Sequence, residues 1–412
     1  MKVTYVLMHA YGMGGTIRTV INQANAMAEA GHEVAIASVV RRRDRPRFPV
    51  DGRVRMITIA DHRGRPAPPP PRGGRLGRWL RRHWTVPVAP GEEPGSEVPV
   101  GEAAKRTFTR EVEEGFIEYV RGLREGVLVT TRPALNLLSA RYAPQELVRV
   151  AQDHMHLTSY KPAVHAAILA DYPRLDAVVS LTRQDEEDYR RAMGDRVRIA
   201  QIPNPLHSLD VPRTDHSAKV VVAAGRLTRQ KGFDLLIEAF GQVAAQYPDW
   251  TLRIYGGGPW EGRLRGQIRR RRLGDHVLLM GTVKGFDREL AQASIYALSS
   301  RFEGFAMVML EALNCGLPVV GFDCPTGPRE VIRDGENGLL VPPEDPDALA
   351  AALCRLIGDR RLRRRLGTAA IGTAAGYGPV PIRHRWEALF AELLRAKSAG
   401  PDGRPTGTSL PA

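Results

Sequence analysis

The sequence predicts an α/β protein made of two Rossmann-like domains facing a central cleft. Three observations lead there. Short apolar runs alternate with amphipathic stretches along nearly the whole chain, the pattern of parallel strands joined by crossover helices. The series breaks at Ile202-Pro203-Asn204-Pro205, where two prolines around an asparagine suit a turn and exclude a helix. A second series of the same kind then begins, and a glycine-bearing loop follows the first strand of each series. At 412 residues the chain has room for two or three domains.

In the first half, strands are expected over residues 3–9, 34–40, 54–59, 127–130, 147–152, 177–181 and 197–202. Apolar positions at helical spacing place helices over 16–29, 108–122, 162–170 and 184–192. In the second half the strands are 219–224, 251–255, 277–280, 295–299, 318–322 and 339–341. Its helices are 234–246, 261–273, 308–315 and 346–357, and residues 382–396 form a closing amphipathic helix. Two segments depart from the rhythm. Residues 61–101 are rich in Pro and Gly, with four consecutive prolines at 68–71, and read as a mobile insertion. The last residues, from 397 on, read as a disordered tail.

Composition excludes several classes. The three cysteines (Cys315, Cys324, Cys354) lack Cys-x-x-Cys spacing, which argues against a disulfide framework and a structural zinc site. The apolar run of "MKVTYVLMHAYGMGG" is short and ends in glycines, so it reads as a buried first strand and not as a secretion signal. Nothing approaches the ~20 apolar residues of a membrane span, and a cytoplasmic location is expected. Of 59 basic residues only seven are Lys, and the net charge is +14. That charge favours phosphate-bearing partners. Without an aromatic platform or a reading helix it gives no ground for a nucleic-acid partner.

Four stretches can carry chemistry. Gly12-Met13-Gly14-Gly15-Thr16 follows the first strand and opens a helix, where amides can approach a phosphate; a tight turn without a ligand is the plain alternative. A dinucleotide fingerprint would need Gly at position 17, which is Ile17, and an acid after the second strand, where Arg41, Arg42 and Arg43 stand. NAD is therefore disfavoured, while those arginines keep NADP open. In "GRLTRQKG" (225–232), Arg226 and Lys231 suit a diphosphate, or are simply solvated charges. In "RFEGFAMVMLEA" (301–312), Glu303 is expected in a loop and Glu311 on the helix that follows. Two acids that each accept from a vicinal diol suit a nucleotide sugar; otherwise Glu303 favours a helix N-terminus and Glu311 is a surface residue. Lastly, "VAQDHMHLTSY" (150–160) brings Asp153, His154 and His156 to a strand end, as a catalytic group, a metal pair or surface histidines.

Together these stretches resemble the retaining family-4 glycosyltransferases of the GT-B fold, also called glycosyl transferases group 1. The resemblance is strongest over "GRLTRQKGFDLLIEAF", "IYGGGP", "GTVKGF", "YALSSRFEGFAMVMLEALNCGLPVVGFDCPTGPREVI" and "NGLLVPPED". It is looser over 1–200, carried by "YGMGGTIRTVINQANAMAEAGHEV" and the histidine after Asp153. It implies an acceptor-side domain over 1–203, a nucleotide-sugar domain over 204–380, and a helix over 381–396 that crosses back to the first domain. By the same resemblance Arg226 and Lys231 hold the donor diphosphate and Glu311 the ribose. Glu303 and the amides of Gly304, Phe305 and Ala306 hold the sugar, Thr282 and Val283 fall in the base-binding loop, and Gly14 and Gly15 close over the phosphates. His154 matches the cleft histidine near sugar and acceptor. The implied donor is a nucleoside-diphosphate sugar, by frequency a UDP-sugar, with no metal and no other cofactor. The implied chemistry is front-face attack, with the donor phosphate helping to take the acceptor proton. In keeping with that, the Asp-x-Asp at Asp345 and Asp347 reads as a helix start.

The implied acceptor is a hydroxyl on a cell-surface glycan, a teichoic-acid-like polymer, a lipid-linked precursor or a small natural product. "RLGRWLRRHW" (75–84) reads as an interfacial anchor, giving peripheral membrane contact through 72–84, as a clamp for an anionic acceptor, or as a disordered basic loop. Runs 269–272 and 360–365 read as solvated helix faces. The rival readings are an NADP-dependent oxidoreductase, which leaves Glu303 and Glu311 unexplained, and a sugar-nucleotide epimerase, which needs no acceptor.

Overall fold

The computed structural model describes residues 1–64 and 93–399. It forms two compact units, one of residues 1–202 with those from 383 on, the other Pro203–Ile382. No helix among the described residues is long and apolar enough to cross a membrane.

Unit 1 holds a seven-stranded sheet of order β3-β2-β1-β4-β5-β6-β7, parallel throughout. The strands are β1 (Lys2–Leu7), β2 (Glu33–Arg41), β3 (Arg55–Asp61), β4 (Val127–Thr130), β5 (Val148–Gln152), β6 (Ala177–Ser180) and β7 (Arg198–Gln201). β4, β5 and β6 are buried at every position, as expected of strands covered on both faces. The helices are α1 (Gly15–Glu29), α2 (Arg110–Gly122), α3 (Pro133–Tyr142), α4 (Pro162–Asp171) and α5 (Arg183–Met193). Sequence pattern misses α3 because every residue from Pro133 to Ala140 is buried, so no polar face marks the helical period.

The expected mobile insertion is partly laid down. The Glu113 carboxylate on α2 accepts from the amides of Ser96 at 2.8 Å and Glu97 at 3.1 Å, and Val98 is buried. Beside them Pro94 forms an isolated antiparallel bridge with Thr109, so the backbone groups of 93–98 are met from α2 and the residues just before it. The basic anchor expected over 72–84 lies outside the described residues.

Unit 2 repeats the topology with six parallel strands in the order β10-β9-β8-β11-β12-β13. They are β8 (Val220–Ala224), β9 (Thr251–Tyr255), β10 (Val277–Gly281), β11 (Ile295–Leu298), β12 (Val319–Phe322) and β13 (Gly338–Val341). The helices are α6 (Phe233–Gln246), α7 (Glu261–Arg270), α8 (Phe286–Ala291), α9 (Met307–Asn314), α10 (Pro328–Val331), α11 (Pro346–Gly358) and α12 (Arg360–Ala375). α6 buries Phe233, Leu236, Ile237, Phe240 and Val243 at three- and four-residue spacing, each contributing about 2 kcal/mol. Asp345 caps α11, accepting from the amides of Asp347 and Ala348 at 3.1 and 2.9 Å, so the Asp-x-Asp is a helix start.

The arginine run 360–365 is not uniformly solvated. Arg363 is buried, lies 5.2 Å from the centre of the Trp250 ring, and donates to Leu356 O at 2.6 Å and Ile357 O at 2.9 Å. It satisfies the carbonyls that end α11.

The last helix, α13 (Pro379–Ala399), continues past the point where a tail was expected. From Arg383 on it belongs to unit 1, where Trp386 and Phe390 are buried with ring centres 5.3 Å apart. Polar contacts flank them: Glu387 to His32 at 2.8 Å, Glu392 to Arg198 at 2.8 Å and Arg385 to Gln201 O at 2.6 Å. In both sheets the strand order reverses beside the first strand, β1 or β8, the point at which open α/β sheets bind their ligands.

Candidate functional site

At the reversal in unit 2, the loop after β8 meets the loop after β11. Arg301 laces them together. Its guanidinium grips Asp234 on α6 at 2.9 and 3.0 Å and donates to Arg229 O at 2.8 Å, while its amide donates to Gln230 O at 2.8 Å. This places Lys231 Nζ 2.6 Å from Glu303 Oε1, and Ser300 Oγ donates to the same oxygen. Glu303 is 4% exposed, and Thr326 Oγ1 donates to its carbonyl at 2.8 Å. A carboxylate this deep needs such donors, since an unpaired buried charge is costly.

Arg226 is exposed, and its guanidinium makes no hydrogen bond or ion pair among the described residues. The amides of Gly304, Phe305 and Ala306 likewise donate to no acceptor there. Free donors thus surround the Lys231–Glu303 pair, a setting for an anion or a hydroxylated ligand.

Glu303 stands in the loop and Glu311 on α9, as the spacing implies. Both carboxylates act on Tyr296, whose phenol is pushed well up, first by burial and then by Glu303, with Glu311 adding to it. Burial, followed by Glu303, pushes the Cys324 thiol up to about 12, which leaves it inert at neutral pH. Ser300, Tyr296 and Thr326 were not singled out in the sequence, where nothing distinguishes a hydroxyl that orients a buried carboxylate from any other.

Two glycines here are demanded by sterics. Gly232 has φ +61° and a Cβ on it would lie 1.9 Å from Ser299 O; Gly256 has φ +135° and its Cβ would lie 1.9 Å from Gly225 O. Thr282 and Val283 are exposed beyond β10, with Thr282 Cγ2 3.8 Å from the Cβ position of Gly257.

In unit 1, a pocket of about 460 Å3 opens at the ends of β1, β4 and β5, lined by His9, Gly14, Gly15, Arg132, His154 and Lys161 among others. The glycines differ in purpose. The space a Cβ would need at Gly12 is filled by the His9 ring, at 2.1 Å, so Gly12 serves that packing and not a ligand's approach. Nothing lies within 4 Å of the Cβ position of Gly15, at the N-terminus of α1. Arg132 is paired with the buried Glu102 at 2.6 Å. His154 Nε2 is sequestered without a partner, and burial pushes the imidazole down to about 4, so it is neutral at pH 7. Beneath it Asp153 is buried, accepting from Asn136 at 3.0 Å, Tyr172 at 3.1 Å and Tyr189; burial raises it to about 6.

His156 turns away to Asp185 at 2.8 Å, so the two histidines do not form a metal pair. No group of three or more His, Cys, Asp or Glu able to hold a metal stands among the described residues.

Comparison with known proteins adds to this geometry. Residues 209–373, the bulk of unit 2, match the family model described as glycosyl transferases group 1. The chain is 34% identical to an exopolysaccharide phosphotransferase of Streptomyces coelicolor, over 96% of this chain but 41% of that protein, so it spans about two fifths of that relative's length. It is 30% identical to the amylovoran biosynthesis glycosyltransferase AmsD of Erwinia amylovora, over 67% of this chain and 80% of that protein. Among solved structures, S. aureus TarM in complex with fondaparinux, α-GlcNAc-glycerol and UDP superposes with a TM-score of 0.72 at 15% identity, covering 95% of this chain and all of that one.

Proposed function

The chain belongs to the group 1 glycosyltransferases, with the two Rossmann-like domains of the GT-B fold, and on that premise we propose that it is a retaining family-4 enzyme moving a hexose or N-acetylhexosamine from a UDP-sugar to a hydroxyl of a cell-surface glycan. The observation that carries this reading is the Lys231–Glu303 pair at the reversal of the unit 2 sheet, set among unpartnered donors.

In this reading Arg226, as a fork, and Lys231, as a point charge, neutralise the diphosphate as it leaves. Glu303 accepts from the sugar hydroxyls, and the amides of Gly304, Phe305 and Ala306 donate to it. Glu311 receives the ribose diol, and Thr282 and Val283 flank the base. Charge on the leaving group is met by fixed cations, so the step needs no metal. The acceptor side belongs to unit 1. In its His154 pocket the neutral imidazole can pair with an acceptor hydroxyl, and Gly14 and Gly15 leave room at the N-terminus of α1. UDP is bound in the TarM complex, which supports the donor class. The Streptomyces and Erwinia relatives, named for exopolysaccharide and amylovoran, support the acceptor class.

A phosphotransferase is the second reading, favoured by the name of the Streptomyces relative. The nucleotide product separates the two. Glycosyl transfer from a UDP-sugar releases UDP, whereas transfer of the sugar phosphate releases UMP. The test is incubation with UDP-glucose, UDP-galactose and UDP-N-acetylglucosamine, chromatography of the nucleotide, and NMR of the first-formed anomer. UDP with an α product is expected; UMP, or an inverted anomer, overturns the assignment.

A further inference from the structure

A second pocket, of about 600 Å3, shares Met8 and His9 with the His154 pocket and is lined also by Tyr11, Arg42, Arg43 and His62. No carboxylate is in its lining among the described residues. Local structure explains how two arginines come to face it. β2 ends at Arg41, whose guanidinium turns back to donate to Arg43 O at 3.1 Å and Asp44 O at 2.9 Å and lies 4.9 Å from the centre of the Tyr11 ring. The turn that Arg41 fixes leaves Arg42 and Arg43 exposed. Neither guanidinium has a hydrogen bond or ion pair among the described residues. Asp44, in the adjoining turn, and Asp61, which ends β3, are both engaged by Arg63, at 2.8 and 2.7 Å.

The positive field reaches the shared wall. Burial, then Arg42, Arg132 and Arg43, all depress the His9 imidazole, so His9 presents a neutral ring between the two pockets. Adjacent uncompensated guanidiniums repel one another, and a phosphate relieves that repulsion while matching the fork of each.

We propose that this pocket binds the phosphate ester of the acceptor, so that the accepting hydroxyl belongs to a phosphorylated polyol or sugar and not to a neutral glycan. The inference rests on the transferase reading for the word acceptor; the anion site itself does not. The phosphate sits against Arg42 and Arg43, and the hydroxyl end extends past His9 toward His154.

The test uses the full chain saturated with UDP, so that the donor site is filled. Glycerol 3-phosphate, a soluble glycerol-phosphate oligomer and neutral glycerol are titrated by calorimetry into wild type and Arg42→Gln/Arg43→Gln. The expected result is binding of the monoester or the oligomer, weakened at least about tenfold in the double variant, with UDP affinity unchanged and no binding of glycerol. Whichever phosphate binds tighter tells a monoester source from a diester polymer. Equal binding to both proteins, binding of glycerol as tight as of the esters, or no ester binding to wild type overturns the proposal. Competition by NADPH, whose 2′-phosphate would use the same arginines, overturns it as well. If UDP fails to bind while the esters still discriminate the variant, the transferase reading fails and the anion site stands.

Discussion

Replacing Lys231 by Met keeps the length of the side chain and removes the cation 2.6 Å from Glu303 Oε1. The Glu303 side chain is 5% exposed and that of Lys231 21%, so the carboxylate has little water to turn to. Removing one partner of such a pair costs about 3 kcal/mol, most of it from the stranded carboxylate. Glu303→Gln leaves the cation instead, and Lys231, being more exposed, can rehydrate; its cost is about 1 kcal/mol. Together the two changes strand no charge, so the double variant should recover about 2 kcal/mol relative to the sum of the singles. Urea unfolding followed by Trp250 and Trp260 fluorescence measures all four proteins. Ligand binding separates the roles further. Lys231→Met should weaken UDP at least about tenfold, and Glu303→Gln should change it by less than about threefold while slowing sugar transfer. Additive stabilities, or full UDP affinity in Lys231→Met, would refute the account of the pair.

Gly232→Ala forces a Cβ to 1.9 Å from Ser299 O at φ +61° and should cost at least about 2 kcal/mol, whereas Gly15→Ala, with open space around it, should leave the melting temperature nearly unchanged and raise KM for the donor. Arg363→Ala should destabilise by about 3 kcal/mol in urea and the exposed Arg364→Ala by less than about 0.5, since only the first strands the α11 carbonyls. Asp153 and His154 give opposed pH dependences. Asp153, raised from 3.8 to about 6, contributes stability that is present below its unfolded value and lost as pH rises through about 6. His154, lowered from 6.5 to about 4, contributes stability that is present above 6.5 and lost as pH falls through about 4. Each is worth about 3 kcal/mol, so wild-type stability should vary little over that window. Asp153→Asn should lose about 3 kcal/mol on acidification and His154→Gln should gain, measured as urea midpoints against pH; parallel slopes would contradict this.

Much of the fold was legible because its strands are short apolar runs and its outer helices carry a polar face; β4 and β9 fall on the residues expected. α3 was not, because burial on all sides erases the periodicity. In α12 the run 360–365 was read as a solvated helix face, and the buried Arg363 escaped notice because it differs from its neighbours only through Trp250 and the end of α11. At the site, Lys231, Glu303 and Glu311 could be named from spacing and resemblance, and the structure brings Lys231 and Glu303 into contact. Ser300 and Tyr296 could not be, since nothing in the sequence marks a hydroxyl that meets a buried carboxylate, nor could the Glu102–Arg132 pair, whose partners stand thirty residues apart. What the Gly12 position accommodates is the His9 ring, a packing detail that the glycine run alone does not reveal.

Everything proposed for unit 2 depends on its holding a nucleoside-diphosphate donor on Arg226 and Lys231. The most direct measurement is the melting temperature of the full chain with UDP, GDP, ADP and NADPH, each with and without EDTA. UDP should stabilise the protein by about 3 kcal/mol at a hundredfold excess over Kd, unaffected by EDTA and lost in Lys231→Met. Stabilisation by NADPH alone, or by no diphosphate at all, would contradict it.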